Sequence, residues 1–276
     1  MHNIIHQIIT QTNLSEQQAW WLLEFVTKKT QAQLKFLPQS LTMEQQDQLN
    51  LYNKQIGQDH KPLAYILGWV PFLDLELHVV PPTLIPRPET EFWVAQLIEN
   101  LQASGQKNLT ILDIGTGSGC IALSLAQALP TAHIYAVDIA QSALDLATKN
   151  TALHNITNVT FLQSNVFEQV PAGVQFDLIV SNPPYIDPAA HLQPSVLEWE
   201  DHKALFAPDC GMEIVEKIIT QAHRYLKKND ALDWQMVMEI DVSQGHLVQK
   251  LATDCRFDSV VIKKDQFDRD RTVWAK

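Results

Sequence analysis

Cysteine and basic residues are scarce in this chain of 276 residues, and long apolar runs are missing. Its three cysteines, Cys120, Cys210 and Cys255, are widely spaced without a Cys-x-x-Cys pair, so neither a disulfide framework nor a zinc site is indicated. The 20 Lys and Arg against 31 Asp and Glu give a net charge of −11, which argues against stable binding through nucleic-acid phosphates. No apolar run approaches the roughly 18 residues that span a bilayer, and no basic stretch with an apolar core opens the chain. We expect a cytoplasmic, untargeted protein with no metal site and no membrane segment.

Glycine is also scarce, which gives weight to the place where it clusters. Of nine glycines, three fall within five residues of the run Asp113-Ile114-Gly115-Thr116-Gly117-Ser118-Gly119. Glycines let the backbone turn tightly and approach a ligand, and the helix expected after them offers unpaired N–H groups. The spacing differs from the dinucleotide fingerprint, and Asp113 would repel a pyrophosphate. Both features disfavour NAD and suit S-adenosylmethionine. We expect Gly115–Gly119 to line its methionine part and Asp113 to hold its ammonium group.

Further cofactor contacts are expected where the next two strands end. Asp138 closes the second strand, at a distance beyond the glycines where a carboxylate can accept both ribose hydroxyls. After the third strand, Asn165, Val166 and Phe167 could flank the adenine, with Asn165 bonded to its edge. For Asp138 alone, an acid at a helix N-terminus is the alternative. For the three residues after the third strand, ordinary loop and core positions are an equal alternative.

The first part of the chain has a helical pattern, which extends to about Gly57. Two capping boxes, Ser15 with Gln18 and Thr42 with Gln45, precede amphipathic runs. These runs predict a small helical bundle whose apolar stripes form an ordinary core.

The remainder of the chain predicts an α/β fold. Alternation over residues 73–79 predicts a hairpin, and the prolines over 82–88 predict an extended linker and a boundary before a helix that begins near Thr90. Strands are then expected at 110–113, 133–138, 159–163, 176–181, 234–240, 259–264 and 272–275, and helices at 120–129, 142–154, 212–226 and 244–253. This alternation predicts a Rossmann-like, mostly parallel sheet of seven strands, covered on both faces. The expected domains are a helical domain (1–68), a β-hairpin linker (69–84) and a catalytic domain (85–276).

The run Ser181-Asn182-Pro183-Pro184-Tyr185 ends the fourth of these strands and carries the predicted chemistry. Two consecutive prolines cannot continue a ladder, so they hold Asn182 and Pro183 in a stiff corner with free acceptors. The Asn182 Oδ1 and the Pro183 carbonyl could hold both N–H groups of an amide or exocyclic amine, while Tyr185 stacks on it. A rigid turn with an aromatic residue behind it is the alternative, and the cofactor motif favours catalysis.

Together these motifs resemble the amino-group branch of class I S-adenosylmethionine methyltransferases, in which (N/D)-P-P-(Y/F) marks methylation of amide or exocyclic nitrogens. Two further runs look like signatures of the protein-(glutamine-N5) methyltransferases that modify peptide chain release factors: Pro62-Leu63-Ala64-Tyr65-Ile66-Leu67-Gly68 and Leu84-Ile85-Pro86-Arg87-Pro88-Glu89-Thr90-Glu91. The resemblance covers essentially the full length. It implies methyl transfer from S-adenosylmethionine, leaving S-adenosylhomocysteine, to the glutamine of the Gly-Gly-Gln motif in class 1 release factors.

The resemblance also implies roles for individual residues. Asn182 and the Pro183 carbonyl would bind the glutamine amide, with Pro184 and Tyr185 completing the substrate site. Arg87 and Glu89 would brace the segment over the cleft or touch substrate, and the helical N-terminal domain would grip the release factor. The implied reaction is an in-line displacement without a strong general base.

Four positions depart from the family pattern without removing a group from this chemistry: Asp74, Asn165, Asp201 and Asp268. A nucleic-acid amino methyltransferase, acting on adenine N6 or guanine N2, is the main alternative, since the same motif would hold a flipped base. The acidic charge and the 62–68 run count against it. A non-catalytic nucleotide-binding protein would leave the Asn-Pro-Pro-Tyr run unexplained, and the glycine spacing disfavours an NAD-dependent oxidoreductase.

Overall fold

The structure is a computed structural model that describes residues 1–35 and 40–276. Residues 36–39 of the predicted helical domain therefore lie outside the described part. The described helices are α1 (His2–Thr12), α2 (Glu16–Thr27), α3 (Gln31–Lys35), α4 (Met43–Gly57), α5 (Leu63–Leu67), α6 (Pro88–Ala103), α7 (Cys120–Ala128), α8 (Gln141–Leu153), α9 (Pro194–Leu197), α10 (His202–Leu205), α11 (Glu213–Ala222) and α12 (Gly245–Asp254). The strands are β1 (Trp69–Phe72), β2 (Leu75–His78), β3 (Thr110–Ile114), β4 (His133–Asp138), β5 (Val159–Gln163), β6 (Leu178–Ser181), β7 (Met236–Glu239), β8 (Val260–Lys264) and β9 (Asp270–Ala275).

Contacts within the chain define two compact units. The first consists of Met1–Trp69 together with Leu192–Trp199, and the second of Val70–His191 together with Glu200–Lys276. The β1–β2 hairpin thus belongs mostly to the second unit. The predicted domain bounds of 1–68, 69–84 and 85–276 stay a prediction.

The first unit is built on helices whose starts follow the capping signals. Ser15 Oγ accepts from the Gln18 backbone N–H at 3.3 Å, and Gln18 Oε1 accepts from the Ser15 N–H at 3.0 Å. The same reciprocal pair joins Thr42 and Gln45, so both predicted capping boxes are confirmed. The unit's fully buried apolar residues include Ile8, Leu22, Leu23, Leu34 and Leu49.

A short segment distant in sequence completes this unit. Leu192–Trp199, which contains α9, has its contacts with the first unit although the residues on both sides belong to the second. The Trp199 Nε1–H donates to the Asp59 carbonyl at 3.0 Å, and the Lys61 ammonium lies 5.4 Å from the centre of the Trp199 ring. The helical unit is therefore discontinuous along the chain.

The second unit contains a sheet of seven strands in the order β5-β4-β3-β6-β7-β9-β8. Strands β5, β4, β3, β6 and β7 are parallel, while β9 is antiparallel to both β7 and β8. The predicted α/β fold with a mostly parallel sheet of seven strands is confirmed. Because β4 and β6 lie on opposite sides of β3, the strand order reverses at β3, which is where such sheets bind ligands.

Alternating side chains of the sheet form two apolar clusters. One face carries Ile111, Ile134, Leu178, Val237 and Trp274, which pack with α6, α7 and the β1–β2 hairpin. The other carries Leu112, Val137, Ile179, Met238 and Val273, which pack with α11 and α12. Three acids, Asp113, Asp138 and Glu239, lie at or next to the carboxyl ends of β3, β4 and β7. Since strand residues alternate between faces, all three belong to the first face.

Several element bounds differ from those expected. Helix α6 begins at Pro88, two residues before Thr90, because proline suits the first turn of a helix. Strand β6 begins at Leu178, while Phe176 makes only an isolated bridge with Leu226. The short helices α9 and α10 were not expected. Among the described residues, no helix has the length and apolar character needed to cross a membrane.

Candidate active site

The glycine run forms a tight loop between β3 and α7. The N–H groups of Gly115 and Thr116 both donate to the Val137 carbonyl, at 2.8 and 3.0 Å. Gly115, Gly117 and Gly119 have φ of 72°, 55° and 87°, in the left-handed region that favours glycine. A Cβ on Gly119 would lie 3.2 Å from the Ala147 Cβ, so this glycine also lets α7 and α8 pack closely.

Asp138 ends β4 beside this loop, and its carboxylate is partly engaged. One oxygen accepts from the Gly117 N–H and the other from the Ala140 N–H, both at 2.9 Å. Ala140 precedes α8, so the acid stabilises both the glycine loop and the start of a helix. Burial raises its pKa above the ordinary value. The next residue, Ile139, is 59% exposed and presents an apolar surface that the sequence analysis did not single out.

Asp113 lies fully buried under the loop. Neither of its carboxyl oxygens makes a well-formed hydrogen bond to a described residue, and the same is true of the buried Thr116 hydroxyl. Burial raises the pKa of Asp113 to about 7, and the negative charge of Asp138 adds to the rise, although the nearby Thr116 hydroxyl and Ala122 N–H lower it. Because both oxygens are enclosed, a ligand ammonium could contact them only if the Gly115–Gly119 loop moved.

The three residues expected at the adenine have different environments. Asn165 is half-buried, and its Nδ2 donates to Glu168 Oε1 at 2.9 Å. Val166 is buried with φ 58°, unusual for a β-branched residue. Phe167 stacks on Tyr225 with ring centres 4.3 Å apart, inside the apolar cluster of the second face. Val166 and Phe167 thus occupy the core positions that were the alternative for this segment.

The Asn-Pro-Pro-Tyr run lies next to the glycine loop. Strands β3 and β6 are neighbours, and the buried Ser181 hydroxyl donates to the Ile114 carbonyl at 2.7 Å. A Cβ on Gly115 would be 3.8 Å from the Asn182 carbonyl oxygen. The sheet therefore brings the two predicted motifs together at the point where its strand order reverses. Asn182 Oδ1 and the Pro183 carbonyl accept no hydrogen bond from any described residue.

A buried hydrogen-bond network supports this run. The Asn182 Nδ2–H donates to Thr90 Oγ1 at 3.1 Å, and the Thr90 hydroxyl donates to Glu239 Oε2 at 2.7 Å. The Trp93 Nε1–H donates to the same oxygen at 2.9 Å, and the Tyr185 hydroxyl donates to Glu239 Oε1 at 2.8 Å. The sequence analysis missed this role of Thr90, Trp93 and Glu239. The available signal was an acid closing the apolar run Met236–Glu239, as Asp113 and Asp138 close theirs.

The position of Tyr185 is fixed at both its hydroxyl and its backbone. Burial and the neighbouring Glu239 carboxylate raise the pKa of Tyr185 well above its ordinary value, so the hydroxyl stays a donor. The Tyr185 carbonyl accepts from Gln244 Nε2 at 3.0 Å. Gly211 has φ 82°, and a Cβ there would overlap that carbonyl oxygen. Gln244 and Gly211 are further supports that the sequence analysis missed.

Arg87 and Glu89 are both engaged in ion pairs. Arg87 Nη2 lies 2.6 Å from the buried Glu200 carboxylate, which also accepts from the Ile85 N–H at 3.3 Å. Glu89 Oε1 lies 3.1 Å from Arg269 Nη2. In this structure these residues brace the segment before α6. Within the described chain, no group of three or more His, Cys, Asp or Glu could hold a metal ion.

The fold and the site together define a methyltransferase, and the family model described as Methyltransferase small domain matches residues 93–198. A second model, PrmC N-terminal domain, matches residues 7–68. The release factor glutamine methyltransferase of Flavobacterium psychrophilum is 42% identical over 78% of this chain and 75% of the relative. That of Escherichia coli is 37% identical over 99% of this chain and 97% of the relative. This chain belongs to the release factor glutamine methyltransferase family.

Solved structures agree on the fold. A 16S rRNA N2 methyltransferase of T. thermophilus, solved with AdoMet and guanosine, superposes with a TM-score of 0.55 at 17% identity. The match covers 75% of this chain and 49% of that one. At this identity the likeness shows a common fold.

Proposed function

We propose that this enzyme transfers the methyl group of S-adenosylmethionine to the side-chain amide nitrogen, N5, of the glutamine in the Gly-Gly-Gln motif of class 1 release factors. One observation carries the proposal. Two acceptors, Asn182 Oδ1 and the Pro183 carbonyl, are free of hydrogen bonds to the described chain at a stiff corner beside the glycine loop. A primary amide has two N–H groups that can pair with two such acceptors.

The residues around the loop fit S-adenosylmethionine, which supplies an electrophilic methyl group when bound. The loop Gly115–Gly119 would line the methionine part, and the Asp138 oxygens have lone pairs left for ribose hydroxyls. The exposed Ile139 would lie against the adenine, with Asn165 near its edge and Val166 and Phe167 supporting the segment from the core. The enclosed Asp113 carboxylate makes no well-formed hydrogen bond within the described part of the chain, so the ligand's ammonium would compensate its charge.

The chain's own groups would act by positioning the amide. Asn182 Oδ1 and the Pro183 carbonyl would accept its two N–H bonds and stabilise positive charge that develops on the nitrogen. The Tyr185 ring would pack against the amide plane beside Pro184. Its hydroxyl is not the proton acceptor, because the raised pKa keeps it protonated and its hydrogen is given to Glu239. Methyl transfer would leave S-adenosylhomocysteine, and one amide proton would pass to water. The methylated nitrogen then keeps one hydrogen, so one acceptor loses its partner and product release is favoured.

Recognition of the release factor is proposed for the helical unit. Its residues 7–68 match the N-terminal domain model of the family, whose members are named for their release-factor substrate. We expect this chemistry in the cytoplasm, where release factors work.

The proposal is tested by transfer of labelled methyl from S-adenosylmethionine to purified, unmethylated release factor. A factor whose Gly-Gly-Gln glutamine is changed serves as control, with total tRNA and rRNA as competing acceptors. Label should appear on the intact factor alone. Label on RNA would mean that a nucleic-acid nitrogen is the substrate.

The Asn182→Ala variant tests the site itself. If Asn182 contributes a few kcal/mol at the transition state, turnover should fall by about 100-fold. Asn100→Ala is a matched control: the Asn100 side chain donates to Asp233 near the surface, at 2.9 Å, and its loss should leave turnover unchanged. Turnover near wild type in Asn182→Ala would overturn the assigned role.

A further inference from the structure

A buried carboxylate lies behind the acceptor site, where it accepts three side-chain hydrogen bonds. Glu239 is 1% exposed and accepts from Thr90, Trp93 and Tyr185. We propose that Glu239, acting through Thr90, fixes which end of the Asn182 amide faces the substrate, and thereby makes the site select an amide over a carboxylate. This inference rests on the proposed function and deepens it.

The polarity of the network follows from counting hydrogens. A carboxylate only accepts, and a threonine hydroxyl has one hydrogen to give. The 2.7 Å contact commits that hydrogen to Glu239 Oε2, so Thr90 Oγ1 can only accept from Asn182 at 3.1 Å. Asn182 must therefore present Nδ2 to Thr90 and turn Oδ1 away. Rotating the amide by half a turn would bring two acceptor oxygens together.

All three side chains that contact the Glu239 carboxylate are hydrogen-bond donors. An indole N–H is only a donor, and the Tyr185 hydroxyl stays protonated because burial and Glu239 raise its pKa. A cation, Arg271, lies beside these groups: burial lowers its pKa, but Tyr185, Glu239 and Asp265 raise it above the ordinary value. The guanidinium therefore stays charged near the network.

The fixed amide has a consequence for substrate choice. A glutamine side chain can donate to both Asn182 Oδ1 and the Pro183 carbonyl. A glutamate carboxylate of the same size would place its oxygens against these two acceptors, which is unfavourable. If Asn182 could turn over, its NH₂ would face that carboxylate and the discrimination would fall. Thr90 and Glu239 are thus positioning residues that determine specificity without touching substrate.

The test compares Thr90→Val, which removes the hydroxyl at nearly constant shape, with Thr90→Ser, which keeps it. Glu239→Gln keeps the shape but lets position 239 donate, so the Thr90 hydroxyl can turn towards Asn182. Binding is measured for two release-factor loop peptides, with Gly-Gly-Gln or Gly-Gly-Glu, in the presence of S-adenosylhomocysteine. The affinity of each variant for S-adenosylhomocysteine reports that its fold is intact.

We expect wild type and Thr90→Ser to prefer the glutamine peptide, and Thr90→Val and Glu239→Gln to lose about 10-fold or more of that preference. The double variant should lose no more than Thr90→Val, because Glu239 acts through Thr90. Equal preference ratios in Thr90→Val and Thr90→Ser would overturn the inference.

A substrate-free measurement separates this inference from the proposed function. The side-chain ¹⁵N–¹H signals of Asn182, assigned by their loss in Asn182→Ala, should shift in Thr90→Val and Glu239→Gln and stay in place in Thr90→Ser. Unchanged signals in all three would refute the network whatever the substrate is. Failure of the wild-type enzyme to methylate the release factor would instead refute the proposed function.

Discussion

Replacing Asp113 with asparagine should remove a pH-dependent loss of stability from the ligand-free enzyme. Burial raises the pKa of this carboxyl from 3.8 to about 7 and outweighs the Thr116 hydroxyl and the Ala122 N–H, which lower it. An acid whose pKa is raised on folding binds its proton more tightly in the folded protein. Its stabilising contribution is therefore complete below the unfolded pKa and is lost as the pH rises through the folded one.

The size of the effect follows from the two pKa values. A difference of one in pKa corresponds to about 1.4 kcal/mol, so the full contribution of Asp113 is about 4 kcal/mol. Most of this contribution is lost within a pH range in which unfolding can be measured. The free energy of unfolding of wild type, relative to Asp113→Asn, should decrease by about 3 kcal/mol between pH 5 and pH 8.

The assay is urea unfolding of wild type and Asp113→Asn at several pH values, followed by circular dichroism without ligand. The difference between the two proteins is the relevant quantity, because other groups titrate in both. A difference that stays constant from acid to mildly alkaline pH would show that Asp113 is hydrated or paired in solution. Calorimetry adds a second readout: if the ligand's ammonium compensates Asp113, S-adenosylmethionine binding near pH 6 should release a proton from wild type and none from the variant.

Two further predictions concern the supports of the site, and each has a matched control. Gly211→Ala should lower turnover at least about 10-fold, because its Cβ would overlap the Tyr185 carbonyl oxygen. The control is Gly173→Ala, at a glycine with φ 83° and no atom within 4 Å of an added Cβ. This control should cost about 1–2 kcal/mol of stability and leave turnover unchanged. Equal effects in single-turnover methyl transfer would contradict this reasoning. Glu200→Gln should lower the free energy of unfolding by about 1–3 kcal/mol, since this 1% exposed carboxylate loses its arginine partner. Asp230→Asn, which breaks an exposed pair at 3.7 Å, should have no measurable effect in the same urea titration, and similar results for the two would refute the argument.

The parts of the molecule that were predictable from sequence are those specified by neighbouring residues. The capping boxes at Ser15 and Thr42 involve partners three residues away. The seven strands follow from local runs of apolar residues, and the glycine loop from a cluster in a chain with few glycines. The two motifs at Gly115 and Asn182 could be expected to meet, because the carboxyl ends of parallel strands share one edge of a sheet.

The parts that were not predictable depend on contacts between distant residues. Thr90 and Glu239 are 149 positions apart, and they meet because β6 and β7 are neighbours beneath α6, an arrangement that no spacing in the sequence encodes. The enclosure of Asp113 and the packing of Phe167 on Tyr225 likewise follow from how the helices cover the sheet. Residue type alone could not show that Asp113 and Phe167 are buried, because burial depends on the tertiary fold; their contacts with the cofactor stay a prediction.

The discontinuous helical unit imposes an order on biosynthesis. Its last contacts come from Leu192–Trp199, so a nascent chain that has just emerged past Trp69 cannot complete this unit. The bond from the Trp199 indole to the Asp59 carbonyl forms only after most of the catalytic sheet has been translated. Folding from the N-terminus onwards therefore leaves the bundle unfinished until β3 to β6 have left the ribosome. For the same reason, a fragment ending at residue 69 would lack part of its native packing, and the two units cannot be separated by a single cut.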